Sequence, residues 1–185
     1  MINELITDGK RRMHSAEDSL KSEFNTVRTG RASTALLDRI QVDYYGVRTP
    51  LNQLASLATP DPRSIAITVY DKNEVNSVVR AIQESDLALT PNVDGTIIRL
   101  NIPALTAERR KELVKLVKSM AEDARVAVRN VRRDIIHALK DLKKEGEISE
   151  DDERRSEDEA QKLTDASIEH INELLKHKED EILEI

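Results

Sequence analysis

The chain contains no cysteine, which excludes disulfides, thiol catalysis and every cysteine-ligated metal site. Aromatic residues make up only 2% of the 185 positions, and glycine and proline number five each, a composition poorly suited to a β-sandwich or to a disordered tail. No apolar run reaches bilayer-spanning length, and the stretch from Met1 to Met13 is too polar for a signal peptide. A cytoplasmic protein without membrane association is therefore expected. Charge is what the chain has in quantity: 35% of its residues, against 38% hydrophobic, the balance of long solvated helices.

The formal net charge of −6 conceals strong segregation. Residues 1–30 carry five acids and five bases, and residues 31–104 carry eight acids and seven bases. Residues 105–144 carry six acids and twelve bases, net +6, while residues 145–185 carry sixteen acids and five bases, net −11. A basic block adjoins an acidic one.

Three segments have helical spacing. In the first, Ile2, Leu5, Ile6, Met13, Ala16, Leu20, Phe24 and Val27 share one side. The second has the strongest signal: Leu113, Val117, Met120, Ala124, Ala127 and Val131 alternate steps of four and three, then Ile135, Ala138 and Leu142 follow, a narrow seam of the bundle or coiled-coil kind. Thr106 is its expected N-cap, and Lys143, Lys144 and Gly146 suit its end. The third segment starts at Ser149 with Asp152 as a capping-box partner, and its apolar face is Ala160, Leu163, Ile168, Ile171, Leu174, Leu175 and Ile182. Glu150 to Glu159 lacks apolar residues before Ala160 and is expected to project beyond the packed region or to cap it. The short turn from Glu145 to Ser149 makes the second and third helices antiparallel neighbours, and with the first they form a three-helix bundle.

Between the first two helices the pattern changes. Ile40, Val42 and Tyr44 alternate with polar residues before a turn at Gly46, and Val47 to Leu51 follows. Ser64 to Tyr70 is a second alternating run behind the turn-rich Thr59-Pro60-Asp61-Pro62. Asn73 to Glu84 reads as a short helix with Val75, Val78, Val79 and Ile82 inward, and Asn92 to Gly95 as a turn into a strand over Ile97 to Ile102. The fold class is α+β: a bundle domain over 1–30 plus 105–185, with a small β-rich α+β domain, 31–104, inserted in it. The connections Thr29-Gly30-Arg31 and Ile102-Pro103-Ala104 join the two, so hinge positions are expected at Thr29, Gly30, Arg31, Pro103 and Ala104.

Catalytic signatures are missing. There is no G-x-S-x-G, Walker A or G-x-G-x-x-G, and His14, His137, His170 and His177 form no H-x-x-x-H pair, so neither a metal site nor a cofactor is expected. The second helix instead carries a basic face. At about 100° per residue, Lys111, Lys115, Lys118, Arg125, Arg129, Arg132, Arg133, Lys140 and Lys143 fall in an arc of roughly 100°, nearly opposite the apolar seam, with Glu122 the only acid inside it. A solvated face usually alternates its charges in i,i+4 pairs; here the other acids are displaced from the stripe, leaving positive potential suited to a polyanion. Arg125, Arg129, Arg132 and Arg133 offer forks that fit phosphate oxygens, and Arg28, Arg31, Arg109 and Arg110 would extend the patch. Scarce aromatics argue against stacking on single strands and for structured nucleic acid held through phosphates and shape.

These residues resemble a known family. Arg28-Thr29-Gly30-Arg31-Ala32, Tyr44-Tyr45-Gly46 with Thr49-Pro50-Leu51 and Gln53-Leu54-Ala55, Ser85-Asp86-Leu87, Glu108-Arg109-Arg110-Lys111 and the run from Arg125 to Arg133 are similar to the bacterial ribosome recycling factors, in order along the whole chain. Ala107 departs from the pattern, which usually has an acid there and so a better-stabilised helix start. The resemblance implies an elongated, L-shaped monomer with a tRNA-like outline. It also implies an activity: binding to the ribosome after termination and, with elongation factor G and its GTP hydrolysis, separation of the subunits. The factor itself hydrolyses nothing. By the same resemblance Arg132 contacts large-subunit rRNA, supported by Arg129, Arg133, Arg125, Arg110, Arg28 and Arg31, and elongation factor G pushes on the small domain. Two rival readings are a helical scaffold whose basic stripe meets an acidic protein, and an enzyme with an unrecognised site in the small domain.

Overall fold

A computed structural model of the chain describes residues 1–183. The elements in order are α1 (Ile2–Asn25), β1 (Gln41–Tyr44), β2 (Val47–Pro50), α2 (Leu51–Leu54), β3 (Ala55–Asp61), β4 (Ser64–Val69), α3 (Val75–Gln83), β5 (Pro91–Asp94), β6 (Ile97–Asn101), α4 (Ala107–Lys144) and α5 (Glu150–Leu183), with 3-10 turns at Thr34–Leu37 and Lys72–Glu74. The chain divides into two compact units, one formed by Met1–Arg28 and the segment from Thr106 onward, the other by Thr29–Leu105. Positions 184 and 185 of the segment 105–185 lie outside the described residues.

The first unit packs α1, α4 and α5 on one another. Local signals set the ends of α4: Thr106 Oγ1 accepts from the Arg109 amide at 3.0 Å, which satisfies one of the free N–H groups of the first turn. At the other end Gly146 takes a φ of 77°, and the amides of Gly146 and Glu147 donate to Lys143 and Leu142 carbonyls at 3.0 and 2.9 Å. The next helix then opens with a reciprocal cap, Ser149 Oγ accepting from the Asp152 amide at 3.1 Å and Asp152 Oδ2 from the Ser149 amide at 3.3 Å. Thirty-eight residues give α4 a length of about 57 Å.

The seam of α4 departs from the sequence reading. Its buried residues are Leu113, Val117, Ala121, Ala124, Val128, Val131, Ile135 and Leu139, so Ala121, Val128 and Leu139 replace Met120, Ala127 and Ala138. Leu113, Ala124 and Ile135, like Val117, Val128 and Leu139, recur every eleven residues, about 3.67 per turn, and not every seven as in a left-handed coiled coil. At two of the three positions the larger of two adjacent apolar residues is the buried one, Val128 over Ala127 and Leu139 over Ala138, while at the third the small Ala121 is buried and Met120 is half-buried.

On α5 the closest-packed row is small and hydroxylated: Ser156, Ala160, Thr164 and Ser167, followed by Ile171. Thr164 Oγ1 donates to the Ala160 carbonyl at 2.8 Å, so the hydroxyl needs no partner across the interface. The expected Leu163, Ile168, Leu174 and Leu175 are half-buried at its edges. The stretch Glu150 to Glu159 does not project: Ser156 is buried, and Glu153 is held 3.7 Å from Lys143 Nζ. A buried serine carries no hydropathy signal.

Two buried residues of α1 went unread. Gly9 lies against Ile135 and Val131, and Glu17 is 6% exposed in the bundle. Ser167 Oγ donates to Glu17 Oε1 at 3.2 Å, His170 Nδ1 is 3.0 Å from the same oxygen, and His14 Nδ1 is 3.0 Å from Oε2. A buried carboxylate is tolerated only when so partnered, and these partners lock the register of α1 against α5.

In the second unit β3, β4, β6 and β5 form an antiparallel sheet in that order, and β1 pairs with β2 separately. Val75, Val78 and Ile82 of α3 join Ile65, Ile67, Ile98 and Leu100 in its core, as their spacing predicts. Two segments with turn-like sequence, Thr59 to Asp61 and Asn92 to Asp94, lie in strands. Pro60 lies within β3 and Pro91 opens β5, and both strands are sheet edges, where a missing N–H breaks no ladder. The hairpin between β3 and β4 turns at Pro62 and Arg63, whose carbonyls accept from the amides of Ala32 and Ile102, both at 2.7 Å. That one turn ties down both connecting segments. Gly30 has a φ of 76° with Leu105 packed against it, so a side chain there is both strained and crowded.

The contact at Gly9 predicts coupling. A methyl added by Gly9→Ala collides with Ile135 Cδ1, the atom that Ile135→Val removes. In a double-mutant cycle read by urea unfolding, the pair should be more stable than the sum of the single changes by at least about 0.5 kcal/mol; strict additivity would show that the two side chains do not meet.

Candidate nucleic-acid interface

Turning the buried seam to its observed residues rotates it by roughly 40° toward the basic stripe. The cations of α4 therefore flank the packed face instead of opposing it, a correction to the sequence reading. Arg125, Arg129 and Arg132 are half-buried, while Arg133 and Lys111, Lys115, Lys118, Lys140 and Lys143 are exposed. A half-buried arginine can cover apolar surface with its stem and still present its charged end.

The four central arginines differ in engagement. Arg125 is braced to α5: its Nε and Nη2 donate to Asn172 Oδ1 at 3.0 and 2.7 Å, its Nη1 donates to Glu122 Oε2 at 3.0 Å, and its side chain is 18% exposed. Arg129 Nη1 donates to Glu122 Oε1 at 3.2 Å. Arg133 reaches only the Asn130 side chain, at 3.4 Å. Arg132 makes no hydrogen bond or ion pair among the described residues. Hydrogen bonds from Arg125 and then Arg129 hold the Glu122 carboxyl below the usual carboxylate range.

Other expected site residues lie elsewhere. Arg110 falls on the packed side of α4, with its Nε buried and lacking a hydrogen-bond partner among the described residues. Arg109 is paired with Glu112 at 2.8 Å. Arg28 is an exposed residue of the bundle unit; Arg31, also exposed, belongs to the inserted unit. The acidic α5 reaches the end of the stripe, where Glu153 lies 3.7 Å from Lys143 Nζ, but among the described residues none of its carboxylates pairs with Arg125, Arg129, Arg132 or Arg133.

No group of three or more metal-ligating side chains occurs among the described residues, and no helix there is long and apolar enough to cross a membrane. Sequence reasoning placed the tyrosines in the small unit without anticipating their exposure. Tyr45 and Tyr70 are both 70% exposed. Tyr45 has a φ of 48° and donates from its hydroxyl to Asp71 Oδ2 at 3.4 Å, and the neighbouring negative charge raises its pKa. The Tyr45-Gly46 pair at a strand end was the available signal.

A sequence model described as ribosome recycling factor matches residues 20–183. The chain belongs to the ribosome recycling factor family. It is 55% identical over 180 residues to the ribosome-recycling factor of Rubrobacter xylanophilus, covering 97% of each chain, and 52% identical over 185 residues to that of Listeria welshimeri, covering 100% of both. Among solved structures, a solution structure of the ribosome recycling factor matches with a TM-score of 0.77 at 41% identity, over 100% of this chain and 98% of that one. A second match, with a TM-score of 0.65 at 43% identity and 99% coverage of each chain, comes from models of the T. thermophilus ribosome recycling factor and E. coli elongation factor G bound to the E. coli post-termination complex. The fold class agrees with these neighbours: a helical bundle joined to a small β-rich unit. Members of the family are translation factors.

The Arg125 brace predicts a stability effect. Asn172→Ala should lower the unfolding free energy by about 1–2 kcal/mol in urea titrations with helical circular dichroism unchanged, and Arg125→Lys, which cannot fork, should act in the same direction. Equal stability of both variants and the parent would mean that the brace does not form in solution.

Proposed function

We propose that the chain binds the ribosome after termination and, with elongation factor G and GTP, separates the subunits and frees them from mRNA. It performs no bond chemistry of its own; hydrolysis belongs to the elongation factor. It acts in the cytoplasm as a monomer. Support for the ribosomal partner comes from the 43%-identical relative, a ribosome recycling factor bound with elongation factor G to a post-termination complex. The observation that carries the residue assignment is Arg132: it is half-buried on the flank of α4, and among the described residues no acceptor uses its fork.

In this reading Arg132 grips large-subunit rRNA phosphates, with Arg129 and Arg133 beside it. Arg125 contributes mainly by holding α4 to α5. Arg110, Arg28 and Arg31 add positive field. The bundle, 1–30 plus 105–185, is the anchor, and the inserted domain, 31–104, receives the push of elongation factor G. The pivot is Thr29, Gly30 and Arg31 on one connection and Pro103 and Ala104 on the other. It is bounded by the two amides that the Pro62–Arg63 turn holds.

Arg132→Ala should abolish cosedimentation with ribosomes and subunit splitting while circular dichroism stays that of the parent. For the parent, affinity should fall by more than about tenfold as salt rises from about 50 to about 200 mM, because bound counterions are released from phosphates. Full binding by a folded Arg132→Ala variant, or salt-independent binding, would remove the phosphate anchor.

A further inference from the structure

Glu122 is the only carboxylate inside the cationic arc of α4, between Lys118 and the arginines. Its two oxygens serve two different guanidinium groups, Oε2 accepting from Arg125 at 3.0 Å and Oε1 from Arg129 at 3.2 Å. A pair of anionic oxygens bridging two forks is what a phosphate would present at the same place. The two arginines are not equivalent. Arg125 is held by Asn172 whether Glu122 is present or not, whereas Arg129 has no other partner among the described residues. The Arg129–Glu122 contact is open to water, with side-chain exposures of 43% and 54%. Such pairs are weak and readily exchanged.

We infer that Glu122 is a built-in stand-in for phosphate, which occupies the Arg129 fork in the free protein and yields it when α4 meets RNA, thereby weakening the grip of the stripe. The inference rests on the reading of α4 as the rRNA-binding face. Fixed to Arg125, the carboxylate stays within reach of Arg129 and competes at high local concentration. It also subtracts one charge from the stripe at its centre. A factor that must leave the ribosome once the subunits part benefits from a contact that is less than maximal.

The test compares binding of the full chain and its variants to purified large ribosomal subunits across a salt series. Glu122→Gln keeps the shape and helix propensity of the side chain and removes its charge. It should bind about two- to five-fold more tightly, as expected for releasing the Arg129 fork from one exposed ion pair, with a salt slope steeper by about 0.8. In an Arg129→Ala background most of that gain should vanish. Asp8→Asn, which removes a carboxylate from the exposed Arg11–Asp8 pair on α1, should change binding less than about twofold. Unchanged or weaker binding by Glu122→Gln, or the same gain with Arg129 absent, would overturn the inference. Absence of salt-dependent binding by the unmutated chain would instead overturn the functional reading beneath it.

Discussion

The row of eight buried residues along α4 determines which of its surfaces meet water. Both α1 and α5 pack on that helix, and each buried Leu, Ile or Val contributes about 1.5–3 kcal/mol by leaving water. Because the row follows an eleven-residue recurrence, it drifts only about 20° around α4 per eleven residues and leaves one continuous flank along the 38-residue helix. The arginines at 125, 129, 132 and 133 keep to one side of the helix for the same reason.

Polar groups do much of the positioning inside the bundle. The small hydroxyl-bearing row of α5 permits close approach to its neighbours, and the Glu17 node with Ser167, His14 and His170 admits one register of α1 against α5. A buried carboxylate contributes less to stability than an apolar residue of equal volume would, so specificity is the better account of its presence. Asn172 plays a similar part at the interface of α4 with α5, orienting Arg125 while remaining neutral and leaving the charge of the stripe intact.

Electrostatics then follow from packing. A stripe opposite the buried seam would stand clear of the bundle; on the flank, Arg125, Arg129 and Arg132 are half-buried beside it. Of the four central arginines one is braced, one is shared with Glu122, one touches Asn130 at long range and one has no partner among the described residues. Equal letters in the sequence thus become unequal groups on the surface.

The helices, their caps at Thr106, Ser149 and Gly146, and the segregation of charge were all readable from local pattern, because each depends on residues within a turn or two of one another. The basic arc on α4 was visible for the same reason. Its angle to the packed face was not, since that depends on whether Met120 or Ala121, Ala127 or Val128, faces the neighbouring helices, and adjacent apolar residues leave local pattern indifferent. Edge strands β3 and β5 were hidden because their prolines signal turns unless the neighbouring strand is known. Buried Glu17, Ser156 and Ser167 were hidden because polar residues are placed in a core only by partners far along the chain. The sequence alone determined which groups could bind a polyanion; the pairing of Arg125 with Asn172 across 47 positions, and with it the difference between a brace and a free fork, was decided by tertiary structure, since no local rule carries the distance between two helices.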